Sequence, residues 1–385
     1  MVAQASPPCR TAGLRAPVTG QLTTRCDRRR IKWQRPSVVN RVSYPEMLTA
    51  SGDALSDRDQ PLTTAVLCSY QEQTGLVRLQ LCACLMLRMS AGVVPLLMDE
   101  PGLRVDPLTG AFVVVTPWRQ DRPNLPEGGC PFCPGGLEAP RPYDAVWIPN
   151  RWPALPDGRH EVILHSPDHG SSFPALGVTG TSRVIGLWSA RTAELGARAD
   201  VSYVFVFENR GRAIGATIDH PHSQILAFNL IPPIPQAELS QAACNLCGDL
   251  DGRLMVTCHP GWLARVPWAP SWPYELLIFP ERHVADLPTA GPRLHAGLAA
   301  ILVDCLSRVE RLFGAAVPYM LWVHQRPTTG QDRPAAHLHL HLAPLLRRPG
   351  RIRHLAGAEL GAGVFFDPVD PPAAAAQLKT ATGPS

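Results

Sequence analysis

The residues best suited to do chemistry lie between positions 130 and 224. Cys130 and Cys133 flank a Pro-Phe pair, and His169 and His220 follow at a distance. Two thiolates on one tight turn and two imidazoles from other elements can complete a zinc tetrahedron. Because four protein ligands leave no open position, this pattern predicts a structural zinc site that ties the turn to the segment carrying His220.

The string His220-Pro-His222-Ser-Gln224 is the most specific in the chain. In an extended segment alternate residues share one face, so His220, His222 and Gln224 would point the same way. One imidazole could then bind metal while the next faces a substrate. The string therefore indicates a candidate site where metal and substrate are bound side by side.

The cysteine and histidine pattern occurs twice along the chain. Cys244 and Cys247 form a second pair, His283 follows at the spacing that separates His169 from Cys130, and a histidine cluster spans residues 337–341. This agreement in type, order and spacing predicts a duplicated unit whose halves build related sheets. It also predicts a counterpart of the first zinc site, formed by Cys244, Cys247, His283 and His337.

The elements that must position these residues are those of an α+β protein, with mostly antiparallel sheets and flanking helices. Short apolar segments predict strands at Phe112–Val115, Val162–Leu164, Tyr203–Phe207 and Glu275–Phe279. Apolar residues at helical spacing predict helices near Ser182–Ala197 and Pro292–Phe313.

Charge and hydropathy narrow the class of protein. The 385 residues carry a net charge of +4, but residues 1–45 hold nine Lys or Arg against one acid, so the rest is net acidic. A nucleic-acid partner is therefore not expected. The most apolar segment, Leu76–Met98, is interrupted by Arg78, Gln80 and Arg88, which predicts no membrane span. The paired cysteines favour a reducing, cytoplasmic location.

Residues 1–97 differ from everything that follows, because they mix Arg, Ser, Pro and Thr without a sustained helix or strand period. We expect an N-terminal extension outside the fold. Three interpretations stay open: a start codon placed upstream of true initiation near Met98, a disordered tail, or an acid-poor organellar transit peptide.

Several further motifs recur in a known order, and through them residues 98–380 resemble galactose-1-phosphate uridylyltransferases, a branch of the histidine-triad superfamily. These motifs are Asp106-Pro-Leu-Thr-Gly110, Arg119-x-x-Arg122-Pro, Cys130-x-x-Cys133-Pro-Gly, Ser166-Pro-Asp-His169, Phe207-Glu-Asn209, His220-Pro-His222-x-Gln224, Trp272-Pro-Tyr-Glu275 and Ala356-Gly-Ala-Glu359-Leu. The resemblance implies two histidine-triad-like halves, at 98–235 and 236–385.

The chemistry implied by the resemblance is a double displacement. A neutral imidazole, matched by His222, attacks the α-phosphorus of UDP-glucose, and galactose 1-phosphate then takes the uridylyl group. Both phosphate oxygens are already ionised at pH 7, so no strong general acid or base is needed. Gln224 matches a residue that bonds a non-bridging phosphoryl oxygen, where related hydrolases commonly carry a histidine, and this favours transfer over hydrolysis.

Substrate contacts carried over from the family are those of Arg119 and Arg122 with phosphates, and of Asn209 and Thr217 near the diphosphate. Glu359 matches a glutamate that contacts galactose hydroxyls. Phe365 stands where a glutamine is expected six residues later, which leaves the hexose preference open.

The resemblance also implies a second metal site and a homodimer with its active sites near the subunit interface. The matching ligands are Glu238, His324, His339 and His341. Nitrogen and carboxylate ligands suit iron and zinc about equally.

Two alternatives stay open from the sequence. An ADP-glucose or dinucleoside-polyphosphate phosphorylase would keep the nucleophile and change the substrate. A non-catalytic, metal-stabilised nucleotide-binding protein is of a different class, and the intact His222 and Gln224 argue against it.

Overall fold

Short runs of apolar and β-branched residues beyond residue 102 form strands, and two long amphipathic segments form helices. The computed structural model describes residues 102–123, 129–248, 250–330 and 333–383. The strands are β1 Leu103–Val105, β2 Phe112–Val114, β3 Val146–Pro149, β4 His160–Leu164, β5 Tyr203–Arg210, β6 His222–Phe228, β7 Met255–His259, β8 Trp262–Arg265, β9 Leu276–Pro280, β10 Tyr319–His324, β11 His339–Pro344, β12 Leu346–Arg348 and β13 Arg351–Ile352. The helices are α1 Phe173–Gly196, α2 Pro233–Leu239, α3 Leu287–Phe313, α4 Gly357–Ala362 and α5 Pro371–Thr380.

Nine of these strands form one antiparallel sheet within the described residues, in the order β3-β4-β6-β5-β10-β11-β9-β8-β7. The first half contributes β3 to β6 and the second contributes β7 to β11. The order β4-β6-β5 in one half is mirrored by β10-β11-β9 in the other, with β5 and β10 paired at the seam. The α+β class and the mostly antiparallel sheets are confirmed. The two related sheets join edge to edge into one.

The long helices repeat each other in detail. Ser172 and Asp286 cap α1 and α3 by accepting a main-chain N–H three residues on, which satisfies an otherwise unpaired donor. Each helix then breaks at its fifth residue, where Gly177 has φ of 61° and Gly291 has φ of 74°. An L-residue with a side chain rarely adopts that backbone, so glycine suits the break in both halves.

The core lies between the helices and one face of the sheet. α1 and α3 pack against each other and against the sheet, and inward-facing residues such as Ile163, Ile225 and Leu340 are fully buried beneath them. Because side chains alternate along a strand, the residues between these point to the opposite face. That face carries His222 and Gln224.

The predicted elements lie where the sequence placed them, with shifted ends. The strands predicted from residues 162, 203 and 275 run over β4, β5 and β9, and the helix predicted from Ser182 begins at Phe173. Residues 1–97 lie outside the described residues. The predicted boundary between the halves falls inside α2. No helix in the described part of the chain is both long and apolar enough to span a membrane.

Candidate active site and metal centres

His222 is the first residue of β6, directly after Pro221. Its Nδ1 donates a hydrogen bond to the main-chain oxygen of His220, 2.7 Å away, so Nε2 is the nitrogen left to react. Burial lowers the pKa of His222 to about 4, and the nearby charge of Arg122 acts in the same direction. The imidazole is therefore neutral at pH 7, with a lone pair available on Nε2.

His222 opens onto a cavity of about 430 Å³. Three of the residues predicted to act with it, Gln224, Arg122 and Thr217, also line the cavity. The Arg122 guanidinium donates to the Thr217 hydroxyl at 2.7 Å, which joins the segment after β2 to the loop before β6. A guanidinium beside a neutral imidazole and an amide is a suitable setting for a phosphate group.

The other predicted substrate residues are not among those that line this cavity. Arg119 belongs to the same segment as Arg122, which is anchored where the Trp118 indole donates to the Pro153 carbonyl at 2.8 Å. Asn209 lies on β5, paired with Met320.

Glu359 lies in a separate cavity of about 420 Å³. Its carboxylate accepts from the Ala356 main-chain N–H at 3.0 Å and from Arg353 at 3.1 Å. Both of its oxygens are therefore engaged at the start of α4.

Sequence reasoning missed several residues at the His222 cavity. Asn150, Trp152 and Phe132 line it, and the Phe132 ring meets the His222 ring edge-on with centroids 5.2 Å apart. His160 on β4 lies behind Gln224, with its Nε2 2.9 Å from Gln224 Oε1. Two polar residues at the start of the otherwise apolar β4 were the signal that could have identified His160, because buried polar groups need partners.

The first Cys/His set is brought together as the spacing predicted. The ligand atoms of Cys130, Cys133, His169 and His220 lie within 4.8 Å of one another. Sulfur-to-Nδ1 distances of 3.6–3.7 Å match the edge of a zinc tetrahedron, about 3.6 Å from ordinary Zn–S and Zn–N bond lengths. His220 also donates through Nε2 to the Ser166 carbonyl at 2.7 Å, which leaves Nδ1 for a metal.

The second half builds the same cluster again. Ligand atoms of Cys244, Cys247, His283 and His337 also lie within 4.8 Å, with sulfur-to-nitrogen distances of 3.2–3.5 Å. His337 donates through Nε2 to the Pro280 carbonyl at 3.0 Å, as His220 does to Ser166. Both donor sets are consistent with zinc.

A third candidate metal centre lies on the same sheet face as His222. It contains Glu238 from α2, His324 from β10, and His339 and His341 from β11, with ligand atoms within 4.8 Å of one another. A Glu238 carboxylate oxygen lies 2.9 Å from His324 Nδ1 and 3.6 Å from His339 Nε2. This is a mixed nitrogen and oxygen set.

The fold and these sites define the class first. The chain is a duplicated α+β protein in which the equivalent strand of each copy begins with a histidine, His222 in one and His339 in the other. Residues 152–232 match the family model described as galactose-1-phosphate uridyl transferase, N-terminal domain, and residues 249–370 match the corresponding C-terminal domain.

Individual relatives agree with the domain matches. The chain is 31% identical to the galactose-1-phosphate uridylyltransferase of Thermotoga maritima over 72% of this chain and 97% of that protein. It is 33% identical to the galactose-1-phosphate uridylyltransferase of Streptomyces lividans, over 66% of this chain and 81% of that protein. A solved uridylyltransferase structure matches with a TM-score of 0.67 at 31% identity, over 72% of this chain and 98% of that one.

The chain belongs to the galactose-1-phosphate uridylyltransferase family. It is a nucleotidyltransferase of that type, as the resemblance predicted.

Proposed function

We propose that the protein transfers a uridylyl group from UDP-glucose to galactose 1-phosphate, with His222 as a covalent nucleophile. The observation that carries this proposal is the fixed imidazole of His222, whose Nδ1 donates to a main-chain oxygen and which lines the cavity with Nε2 left to react. The family assignment supports the same class of substrates.

The reaction balances without an external acid or base. Nε2 attacks the α-phosphorus, the bond to the bridging oxygen breaks, and glucose 1-phosphate leaves with the electron pair. The positive charge on the uridylyl-imidazole is stabilised where Nδ1–H donates to the His220 carbonyl. A phosphate oxygen of galactose 1-phosphate then attacks phosphorus, and the P–N electron pair returns to Nε2.

The neighbouring groups would stabilise charge rather than move protons. Arg122 would bind phosphate oxygens from its position against Thr217, and the Gln224 amide would donate to a non-bridging oxygen of the transferred group. Arg119 and Asn209 would extend this binding beyond the cavity wall. Each Glu359 carboxylate oxygen accepts one hydrogen bond and can accept another, so we propose that Glu359 also contacts hexose hydroxyls. We also propose the homodimer that the family implies.

We propose structural zinc at the two Cys/His clusters, and iron or zinc at the cluster of Glu238, His324, His339 and His341. A zinc bound by four protein side chains supplies rigidity. In the first half it would tie the turn carrying Phe132 to His220, two residues from the nucleophile. The position of His222 would then depend on the intact cluster.

The test is to trap the covalent intermediate. Protein is incubated with UDP-glucose labelled in the uridylyl phosphate, without acceptor, and acid-labile protein-bound label is measured for wild type, His222→Ala and the control His259→Ala on the distant strand β7. We expect label on wild type and on the control, none on His222→Ala, and discharge by galactose 1-phosphate.

The other outcomes separate the alternatives. Label from ADP-glucose and not from UDP-glucose would replace the proposal with a phosphorylase acting through the same histidine. No label from either nucleotide sugar would indicate a nucleotide-binding protein without this chemistry.

A further inference from the structure

His160 is a buried histidine, 2% exposed, that no motif predicted. It is the first residue of β4 and lies directly behind Gln224. Both ring nitrogens have neighbours at hydrogen-bond distance: the Ala154 main-chain nitrogen lies 2.8 Å from Nδ1, and Gln224 Oε1 lies 2.9 Å from Nε2.

These contacts determine the tautomer of His160. A main-chain N–H can only donate, so Nδ1 must be the acceptor and carry no proton. Burial lowers the pKa of His160 to about 4, so the ring is neutral at pH 7 and its single proton is on Nε2. Nε2–H therefore donates to Gln224.

The tautomer in turn determines the orientation of the Gln224 amide. Oε1 must face His160, because Nε2–H requires an acceptor. Asn150 Nδ2 lies 3.0 Å from His160 Nε2, but the Asn150 amide is oriented by accepting from Trp152 N–H at 2.8 Å. Asn150 Nδ2 is therefore a donor and cannot accept the proton of His160 Nε2. It donates to Gln224 Oε1 as well, at 3.5 Å. The Gln224 NH₂ group is left for a ligand beside His222.

We propose that His160 is a positioning residue that holds the Gln224 amide with its NH₂ group toward the transferred phosphoryl group. This inference rests on the proposed function. If the amide were reversed, Oε1 would face the phosphoryl oxygens and repel them. His160 itself does not touch the substrate.

The repeat places a partner at the same position in the second half. His160 precedes Glu161, which pairs with Ile225, and Glu275 precedes Leu276, which pairs with Leu342. Glu275 Oε1 lies 2.8 Å from Nδ1 of His341, the counterpart of Gln224. In both halves, the residue at this position contacts the polar side chain of the neighbouring strand in the sheet: His160 contacts Gln224, and Glu275 contacts His341.

The kinetic test compares four variants: His160→Phe, His160→Gln, Gln224→Ala and the double substitution His160→Phe with Gln224→Ala. Removing a preorganised donor to a developing oxyanion costs about 10²- to 10³-fold in kcat, so we expect His160→Phe to lower kcat about 10- to 100-fold with little change in KM. His160→Gln keeps a donor near the Nε2 position and should recover part of the loss. Adding His160→Phe to Gln224→Ala should cost less than about 2-fold.

Independent losses that multiply in the double variant would overturn the proposal, as would a loss confined to KM. Zinc content and melting temperature of each variant show whether it is folded. Nitrogen-15 NMR of histidine-labelled wild type gives a second readout that needs no substrate. A signal from His160 with the proton on Nδ1 would contradict the proposal even if the variants do not fold.

The two proposals fail in different ways. Absence of uridylyl transfer by the wild type would remove the proposed function, while the NMR readout would still report the tautomer. Transfer by the wild type together with unchanged kcat in His160→Phe would remove only the role of His160.

Discussion

His222 and His339 begin equivalent strands and have the same local geometry. Each donates through Nδ1 to the carbonyl of the histidine two residues earlier, at 2.7 Å in both cases. Their surroundings differ, because His222 faces the neutral amide of Gln224 whereas His339 faces Glu238 and two further imidazoles. The same strand position thus serves a candidate nucleophile in one half and a candidate metal ligand in the other.

At this residue scale, Glu275 should govern metal binding by the Glu238 cluster. Its carboxylate engages His341 Nδ1 and also accepts from the Ser271 and Trp272 main-chain N–H groups, so it is fixed in place. Loss of such an outer partner lowers metal affinity about 10- to 100-fold. We therefore expect Glu275→Gln to release that metal to a weaker chelator, measured by elemental analysis after dialysis.

The exposed neighbour Glu281 provides the matched control, since Glu281→Gln should retain all metal. Equal retention by Glu275→Gln would show that the carboxylate does not support His341 as a ligand.

The second Cys/His cluster predicts a change in zinc count. Replacing both Cys244 and Cys247 by serine removes the two thiolates, and the remaining imidazoles cannot hold zinc tightly. We therefore expect the bound zinc to fall by about one equivalent per chain. Cys305→Ala is the control, because Cys305 is a buried free thiol outside the clusters. An unchanged count in the double variant would rule out this site.

At the scale of elements, the two faces of β4 make different contacts. His160 lies on the face that carries Gln224, while the next residue, Glu161, is buried under α1 and pairs with Arg191 through contacts of 2.6 and 2.8 Å. Arg191 also lies 3.8 Å above the Trp147 ring of β3. This buried pair therefore ties the edge of the sheet to α1, on the face opposite His160 and Gln224.

Removing one member of the Glu161–Arg191 pair should lower the free energy of unfolding more than replacing both members. An unpaired buried charge typically costs about 3–5 kcal/mol, whereas an apolar replacement of the whole pair is often close to neutral. Arg191 also pairs with Glu194, so the variant that leaves a buried charge unpaired is Arg191→Met, which removes the guanidinium from Glu161. We expect Arg191→Met to lower the free energy of unfolding by that amount, measured by urea denaturation, and Glu161→Met with Arg191→Met to recover most of it. A double variant as unstable as Arg191→Met would contradict this account.

At the scale of the whole molecule, β5 and β10 join the two halves, and a carboxyl group is buried at that seam. Glu208 accepts a hydrogen bond from Tyr319 at 3.0 Å, and burial raises the pKa of Glu208 to about 7 from an ordinary value of 4.5. The folded state therefore binds this proton more tightly than the unfolded state does.

The raised pKa predicts that stability declines with pH. The contribution of protonated Glu208 is complete below pH 4.5 and is lost as pH rises through about 7. Glu208→Gln should remove this decline, so its free energy of unfolding relative to wild type should improve by on the order of 2–3 kcal/mol between pH 5 and pH 8. Urea unfolding of both proteins at matched pH, with metals loaded, is the measurement. A pH-independent difference would show that Glu208 does not titrate in this range.

The sequence by itself determined the repeat, the α+β class, the family and the Cys/His sets that come together. These conclusions depend on residue type and spacing, which are written along the chain. A Cys-x-x-Cys turn needs only local geometry, and an extended His-x-His segment places its side chains by alternation alone.

Tertiary structure decided the rest. The merging of the halves into one sheet depends on pairing between β5 and β10, which are more than a hundred residues apart. The contacts from His160 to Gln224 and from Glu275 to His341 depend on strand register, since a shift of one residue would turn each side chain to the other face. The separation of Glu359 from the His222 cavity likewise follows from how α4 is capped and packed. Such contacts leave no local pattern, because both partners are ordinary residues until the sheet brings them together.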